Sequence, residues 1–168
     1  MKCFPWLIIS CFLLIGCLGP DTRDFDGKIT ATTPFDAKYA RVQKYLEQAA
    51  KKEYQREYSG DYWRLPEETE AMGGGDCEDL AIWLYCKLLQ EGFEDVRFVT
   101  GLIYTSMAKT QRYGHAWVQW HSERGIYVLD PTDHSGWPWP AHETRRWLYH
   151  ATCSFYRAIR YAHEWYRP

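Results

Sequence analysis

The sequence lacks a strong net charge, and it lacks internal repeats and low-complexity tracts. Lysine and arginine total 20 against 22 aspartate and glutamate residues, which gives a formal charge of -2. Such a balance supplies no electrostatic attraction for nucleic acid, so a nucleic-acid-binding protein is disfavoured. Aromatic residues are abundant at 17%, and apolar residues make up 46% of the 168 residues. The chain is therefore expected to fold as one domain around a sizeable core.

An apolar stretch at residues 4–15, interrupted by Pro5 and Ser10, follows the cation Lys2. It is shorter than the about 20 residues that a membrane-spanning helix needs, and its length is typical of the apolar part of a signal peptide. The stretch runs into the tetrapeptide Leu-Ile-Gly-Cys at residues 14–17, which resembles the lipobox of bacterial lipoproteins. This resemblance implies a signal peptide at residues 1–16 and acylation of Cys17.

Two alternatives to this anchor stay open. One is an ordinary cleaved signal peptide with incidental cysteines. The other is a looser lipobox match at residues 8–11, which leaves only about seven apolar residues before the cysteine. Leu18 is not the aspartate associated with inner-membrane retention, so the weak default is an outer-membrane anchor that faces the periplasm. Residues 17–34 show no periodicity and are predicted to be a tether, followed by the folded domain at 35–168.

Two segments have the pattern of helices. Apolar residues recur at steps of four and three from Phe35, which predicts an amphipathic helix from Asp36 to about Tyr58. A second helix is predicted from its N-cap Asp76, with Asp79 completing a capping box, to Gly92 in the C-terminal capping position. This second helix is apolar on nearly every face, which is typical of a helix surrounded by protein. The residues between the two helices are expected to be irregular.

Three β-rich runs follow at residues 96–104, 113–121 and 125–130. Their close spacing without intervening helices favours antiparallel pairing, so the fold class is α+β. A turn-rich segment with several prolines comes next, and apolar periodicity from Leu148 to Tyr166 predicts a closing helix.

Cys77 lies in the first turn of the central helix, where unpaired backbone N–H groups and the helix dipole favour a thiolate. Its own N–H points out of the helix end and is placed to stabilise an oxyanion during acyl transfer. A thiol nucleophile also needs an imidazole base and an acceptor that orients the imidazole. His115 opens the second β-rich run and Asp130 ends the third, so paired strands would bring these two side chains together.

Three sequence blocks around these residues resemble the transglutaminase-like superfamily of cysteine enzymes. They are Gly-Asp-Cys-Glu-Asp-Leu-Ala at 75–81, His-Ala-Trp-Val at 115–118 and Leu-Asp-Pro-Thr at 129–132. With Asp-Tyr-Trp at 61–63 and the later Pro66, they are especially similar to the bacterial transglutaminase-like cysteine proteinases. Leu80 departs from that subfamily, which commonly has tyrosine there.

The resemblance implies a papain-like, transglutaminase-core fold in which Cys77 is the nucleophile, His115 the general base and acid, and Asp130 the orienter. It also offers Trp63 as a residue of the oxyanion pocket, although packing is the ordinary role of a tryptophan. This chemistry requires no cofactor. Some relatives bind calcium next to the cysteine, and the carboxylates of Asp76 and Glu78 would suit that ion. The same acids are expected to oppose thiolate formation.

The same residue types also allow a zinc site or a disulfide. A zinc site made of Cys77, His115, Asp130 and His134 lacks a close ligand pair. Cys86 lies about 180° around the helix from Cys77 and is interpreted as a core residue, with a Cys86–Cys153 disulfide left open.

The sequence thus predicts a lipid-anchored thiol hydrolase, a cysteine peptidase or amidase acting on a protein or peptide through a covalent acyl-enzyme. It would contact the membrane through Cys17 and would bind no nucleic acid. The alternative is a catalytically retired domain that binds protein or peptide. Transfer to an amine instead of water also stays open.

Overall fold

The computed structural model describes residues 27–56, 62–104, 112–142 and 150–151. The predicted signal peptide, the lipobox at Cys17 and the cysteine at position 153 lie outside these residues. The elements, in chain order, are α1 (Phe35–Ala50), β1 (Glu53–Tyr54), α2 (Pro66–Met72), β2 (Gly74–Gly75), α3 (Cys77–Gln90), β3 (Val96–Tyr104), β4 (Arg112–Ser122), β5 (Gly125–Leu129), β6 (Trp139–Pro140) and β7 (His150–Ala151).

Five of the strands form one antiparallel sheet in the order β6-β5-β4-β3-β7. The long hairpin of β3 and β4 is its centre, with a continuous register from Val96 opposite Trp120 to Tyr104 opposite Arg112. β5 returns along β4 after a tight turn at Gly125, whose φ of 123° is in the region that favours glycine. The structure confirms the α+β class and the antiparallel pairing that the sequence predicts.

The main core lies between the sheet and the helices α1 and α3. Helix α3 packs on β3 and β4, and α1 packs on α3. Sheet residues on the helix-facing side alternate along each strand, as a half-buried sheet requires. The fully buried members of this core are Val42, Leu46, Ala49, Ala81, Leu84, Leu88, Ala116, Val118, Trp120 and Leu129. The prediction of a central helix is confirmed, and Cys86 is buried in it.

The first helix is shorter than predicted. α1 ends at Ala50 instead of continuing to Tyr58, because the chain turns and enters β1. The N–H of Glu53 donates to the carbonyl of Gly73, and that of Gln55 donates to the carbonyl of Gly75 at 2.8 Å. These long-range bonds pair β1 in parallel with β2, and a helical pattern read along the sequence cannot reveal them.

A short helix occupies part of the stretch that was expected to be irregular. α2 begins at Pro66, whose missing N–H costs nothing in the first helical turn. The carboxylate of Glu68 accepts the backbone N–H of Leu65 at 2.8 Å and so caps the helix start. The helix ends at Gly73 with a φ of 70°. The expectation that the stretch from Pro66 to the glycine run is irregular was therefore wrong.

Two short segments near the ends of the described chain differ from expectation. Ile29, within the predicted tether, is buried in the core, and its N–H donates to the carbonyl of Glu91. The packed part of the chain thus starts before Phe35. Near the other end, His150 and Ala151 pair with β3 as strand β7, where the start of a helix was expected. The rest of that predicted helix lies outside the described residues.

No helix within the described ranges is long and apolar enough to span a bilayer.

Candidate active site

Gly74 and Gly75 lie directly before Asp76, the N-cap residue of α3. A Cβ on Gly74 would lie 2.1 Å from the carbonyl oxygen of Glu53, and a Cβ on Gly75 would lie 2.4 Å from the Cβ of Asp79. Side chains at either position would force the backbone apart, so glycine permits β1, β2 and the helix to approach closely. The glycine-rich approach to Cys77 therefore has a steric reason.

The first turn of α3 is held by a reciprocal capping box. The side chain of Asp76 accepts the N–H of Asp79 at 3.4 Å, and the side chain of Asp79 accepts the N–H of Asp76 at 3.3 Å. These bonds satisfy backbone donors that a helix start otherwise leaves unpaired. The predicted N-cap is confirmed, and it fixes the orientation of Cys77, the residue between Asp76 and Glu78.

Asp79 also anchors the segment that precedes α2. Its carboxylate is fully buried and accepts the backbone N–H of Arg64 at 2.7 Å and the Nη1 of Arg64 at 3.0 Å. A buried carboxylate is stable only when it is paired and hydrogen-bonded, and Arg64 meets both needs. Sequence reasoning missed Arg64, because nothing in the local pattern links it to a residue 15 positions away.

The thiol of Cys77 is 7% exposed and donates to Oε2 of Glu78 at 2.8 Å. Burial raises the pKa of Cys77 far above its ordinary value, and the hydrogen bond and charge of Glu78 raise it further. A backbone hydrogen bond from Ala116 acts in the opposite direction. Ala116 follows His115 on β4, and α3, which begins at Cys77, packs on that strand.

Like-charge crowding is also visible at Asp76. Burial, followed by the charges of Glu78 and Asp79, raises the pKa of Asp76 to about 7. The expectation that acids at the helix start would disfavour further negative charge agrees with this shift and with the shift at Cys77.

The structure brings His115 and Asp130 together. Nε2 of His115 lies 2.8 Å from Oδ2 of Asp130, and both side chains are buried. Thr132 completes the arrangement, because its N–H and hydroxyl donate to Oδ1 of Asp130 at 2.9 and 2.8 Å. Burial alone would raise the pKa of Asp130, but its interactions with His115 and then with Thr132 hold this pKa below its ordinary value. The His115 ring stacks near Trp117, with centroids 6.1 Å apart.

An ionised Asp130 fixes the state of the imidazole. A carboxylate can only accept, so Nε2 of His115 carries the hydrogen and donates it. In the neutral ring Nδ1 is then the nitrogen with a free lone pair, which is the nitrogen able to take a proton. Thr132 was not singled out from the sequence, although it follows the Asp-Pro pair directly.

Trp63 contacts the core. Its ring centroid lies 5.6 Å from that of Phe98, and its side chain packs against the main hydrophobic cluster. These are packing contacts, and a role for Trp63 in an oxyanion pocket stays a prediction.

Tyr54 was missed from the sequence. Burial, followed by the charges of Cys77, Asp76 and Glu78, raises the pKa of Tyr54 to about 12. Tyr54 is therefore a neighbour of the first turn of α3.

Within the described ranges, no group of three or more His, Cys, Asp or Glu side chains is arranged to hold a metal ion. Asp79 is committed to Arg64, and Glu78 accepts the thiol of Cys77. Of the four residues considered for zinc, His134 is exposed and its Nδ1 lies 3.3 Å from the carbonyl of Ala50. The carboxylates of Asp76 and Glu78 have the hard oxygens that calcium prefers, but they do not form a complete site here.

Solved structures with some similarity to this chain include the Legionella pneumophila protein LapG. Its calcium-bound form is 26% identical, over 66% of this chain and 60% of that one, with a TM-score of 0.47. Its EGTA-treated form is 24% identical, over 66% and 59%, with a TM-score of 0.48. The chain thus spans less than two thirds of the length of LapG. No curated protein matches the chain.

The family model for the bacterial transglutaminase-like cysteine proteinases matches residues 22–152. That range includes every element described above, together with Cys77, His115 and Asp130. The match covers well over half of the chain and agrees with an α+β fold whose central helix begins at a cysteine. On this match, the chain belongs to the bacterial transglutaminase-like cysteine proteinase family.

Proposed function

We propose that this protein is an exported, lipid-anchored cysteine peptidase or amidase that works through a covalent acyl-enzyme. Cys77 is the nucleophile, His115 is the general base and acid, and Asp130 orients the imidazole. The observation that carries the proposal is the buried hydrogen bond between His115 and Asp130, together with a buried Cys77 at the start of the helix that packs on the strand of His115. The substrate class is a peptide or amide bond of a protein, as membership of a proteinase family suggests.

The acylation step starts from a protonated thiol. Because the pKa of Cys77 is raised, the thiol gives its proton to Nδ1 of His115 as the sulfur attacks the carbonyl carbon. A C–S bond forms, and the carbonyl oxygen takes up negative charge that the N–H of Cys77 stabilises. When the C–N bond breaks, the leaving amine takes the proton from His115, and a thioester on Cys77 remains.

Deacylation reverses these proton transfers. His115 takes a proton from water, the oxygen of that water attacks the thioester carbon, and the C–S bond breaks. The proton returns to the sulfur and a carboxylic acid leaves. Asp130 stays ionised throughout and stabilises the imidazolium that forms in each half-reaction.

Two reagents test the proposal on the same protein. Iodoacetamide should label Cys77, which is 7% exposed and has His115 as its proposed base, well ahead of Cys86, which is 2% exposed. p-Nitrophenyl acetate should acetylate Cys77, and acid quenching should trap the thioester before water hydrolyses it; peptide mass spectrometry reads both adducts. Cys77→Ala should keep its circular dichroism spectrum and lose both adducts. Cys86→Ala, a change of the other cysteine in the same helix, is the matched control and should still be acetylated at Cys77. Equal labelling of both cysteines, or no acetylation of a folded protein, would instead favour a retired peptide-binding domain.

The lipid anchor is a separate part of the proposal, supported by the tetrapeptide at residues 14–17. Expression of the full chain in a bacterium fed a labelled fatty acid should label the protein and place it in the outer-membrane fraction. Cys17→Ser should remove the label and release the protein, whereas Cys11→Ser should change neither. Lipid labelling that survives Cys17→Ser would exclude this anchor.

Calcium is proposed as a ligand of the acidic first turn, with no role in the steps above. The support is electrostatic: the acids of this turn raise the pKa of Asp76, and a cation held by Asp76 and Glu78 would relieve that repulsion. Thermal unfolding of the full chain should shift upward on addition of calcium and return with EGTA. In Asp76→Asn the shift should shrink, while in Glu67→Gln, an exposed acid of α2, it should persist. An unfolding temperature that ignores calcium in the wild type would exclude the ion.

A further inference from the structure

Tyr54 is held next to the nucleophile by backbone pairing. β1 runs parallel to β2 with Tyr54 in register with Gly75, two residues before Cys77. The next residue fixes this register, because the N–H of Gln55 donates to the carbonyl of Gly75 at 2.8 Å. A Cβ on Gly74 would lie 2.1 Å from the carbonyl oxygen of Glu53, so glycine at this position permits the close approach of β1 to β2. The position of Tyr54 beside the helix start is thus built into the fold.

The side chain of Tyr54 is exposed to solvent and belongs to the strand that pairs with the two residues preceding the N-cap of α3. It is 47% exposed, so an incoming substrate can reach it. The pKa of its hydroxyl is raised first by burial and then by the charges of Cys77, Asp76 and Glu78. Because the pKa of Tyr54 is thereby raised to about 12, the phenol keeps its hydrogen at neutral pH and can donate a hydrogen bond.

The chemistry at Cys77 needs such a donor. Attack by the sulfur places negative charge on the carbonyl oxygen, next to a helix turn that already carries Asp76 and Glu78. These carboxylates repel the developing charge, and the N–H of Cys77 supplies only one hydrogen bond to offset the repulsion. Trp63, the candidate that the sequence offered, packs its ring against Phe98.

We propose that the hydroxyl of Tyr54 donates a hydrogen bond to the substrate carbonyl oxygen while Cys77 attacks, and so forms the oxyanion pocket together with the N–H of Cys77. This inference rests on the proposed acyl-enzyme function. No covalent bond to Tyr54 forms, and its proton stays on the phenol.

The experiment compares two reactions of the same sulfur in Tyr54→Phe. Acetylation by p-nitrophenyl acetate passes through an oxyanion, whereas alkylation by iodoacetamide displaces iodide and forms none. Loss of the hydroxyl should lower the maximal rate of Cys77 acetylation by about 100-fold and leave the concentration for half-maximal rate nearly unchanged. Alkylation of Cys77 should keep the wild-type rate.

The matched control is Tyr62→Phe. Tyr62 is also exposed, at 60%, and its hydroxyl donates to the carboxylate of Glu68 on α2. It should retain wild-type rates in both reactions. Wild-type acetylation in Tyr54→Phe would overturn the inference alone. So would a parallel loss of acetylation and alkylation, which would reveal a structural role. A wild-type protein that is never acetylated at Cys77 would overturn the proposed function itself.

Discussion

The two ends of helix α3 differ in how their acidic residues are paired. At the C-terminal end Glu91 occupies the cap position, where the negative pole of the helix disfavours an acid. Its carboxylate accepts hydrogen bonds from Arg41 and Tyr45 of α1, so the charge is neutralised and ties two helices together. Gly92 then ends the helix with a φ of 96°. This end is a structural joint.

At the N-terminal end the helix dipole favours acids, yet three of them crowd one turn. Asp79 is paired with Arg64 and completely buried. Asp76 and Glu78 flank Cys77, and the pKa values of Asp76 and Cys77 are both raised. Strongly shifted pKa values of this kind are common at functional sites. The N-terminal end therefore retains repulsion between like charges, whereas at the C-terminal end the one acid is neutralised by its partners.

The largest effect on stability is expected from breaking the ion pair between Arg64 and the buried Asp79 at the N-terminal end. Arg64→Ala leaves the buried carboxylate of Asp79 without its guanidinium, which should lower the free energy of unfolding by about 3 kcal/mol. Urea denaturation measures the loss, with the exposed Arg56→Ala as control. A loss below about 1 kcal/mol would mean that Asp79 is not held by this pair.

At the other end, Glu91→Ala should remove the bonds to Arg41 and Tyr45 and cost about 2 kcal/mol. Because this joint lies a full helix length from Cys77, the acetylation rate of the folded variant should not change. Glu94→Ala, an exposed acid in the next turn, should affect neither quantity. A slower reaction in Glu91→Ala would argue that the two ends are coupled.

The pH dependence of the free energy of unfolding tests the raised pKa of Asp76 directly. The pKa of Asp76 is raised in the folded state to about 7, from an ordinary value of about 3.9, so the folded protein binds this proton more tightly than the unfolded chain. The contribution of Asp76 to stability is full below about pH 4 and is lost as the pH rises through about 7. Since Asp76 is only half-buried, the loss is expected to be about 1 kcal/mol.

Asp76→Asn keeps a capping side chain and removes the titration. The difference in unfolding free energy between wild type and variant should therefore shift between pH 4 and 7, in favour of the variant at the higher pH. A difference that stays constant over this range would show that Asp76 ionises normally.

The smallest effect is expected at Glu78. Its hydrogen bond and charge both raise the pKa of Cys77, so Glu78→Gln should lower that pKa and increase the thiolate fraction. The rate of Cys77 alkylation at pH 7 should rise by about 3- to 10-fold, since each pKa unit is a factor of ten. Glu67→Gln on α2 should leave the rate unchanged. A slower reaction in Glu78→Gln would mean that Glu78 assists the thiol.

Local signals in the sequence account for most of this comparison. Asp76 and Asp79 lie three residues apart before an apolar run, and Gly92 follows it, so both ends of α3 were predictable from capping rules. The strands around His115 and Asp130 were predictable from their β-rich composition, and their close spacing predicted the pairing that joins the two side chains. These features depend on residues near one another in the chain.

The features that sequence reasoning missed depend on contacts between distant residues. The end of α1 at Ala50 depends on the pairing of β1 with β2, about 20 residues later. Arg64 pairs with Asp79, 15 residues further along the chain, and Tyr54 pairs with Gly75 across the two strands. The start of α2 is an exception, because Pro66 followed by acidic residues is a local helix signal, yet this stretch was expected to be irregular.

The most direct test of the central claim is the rate at which p-nitrophenyl acetate acetylates Cys77 when the imidazole of His115 is removed. The matched control removes His121, which lies on the same strand. The account predicts that His115→Ala slows acetylation by about 100-fold or more and that His121→Ala leaves it unchanged. Equal acetylation of Cys77 in the wild type and in both variants would contradict a base at His115 and, with it, the proposed mechanism.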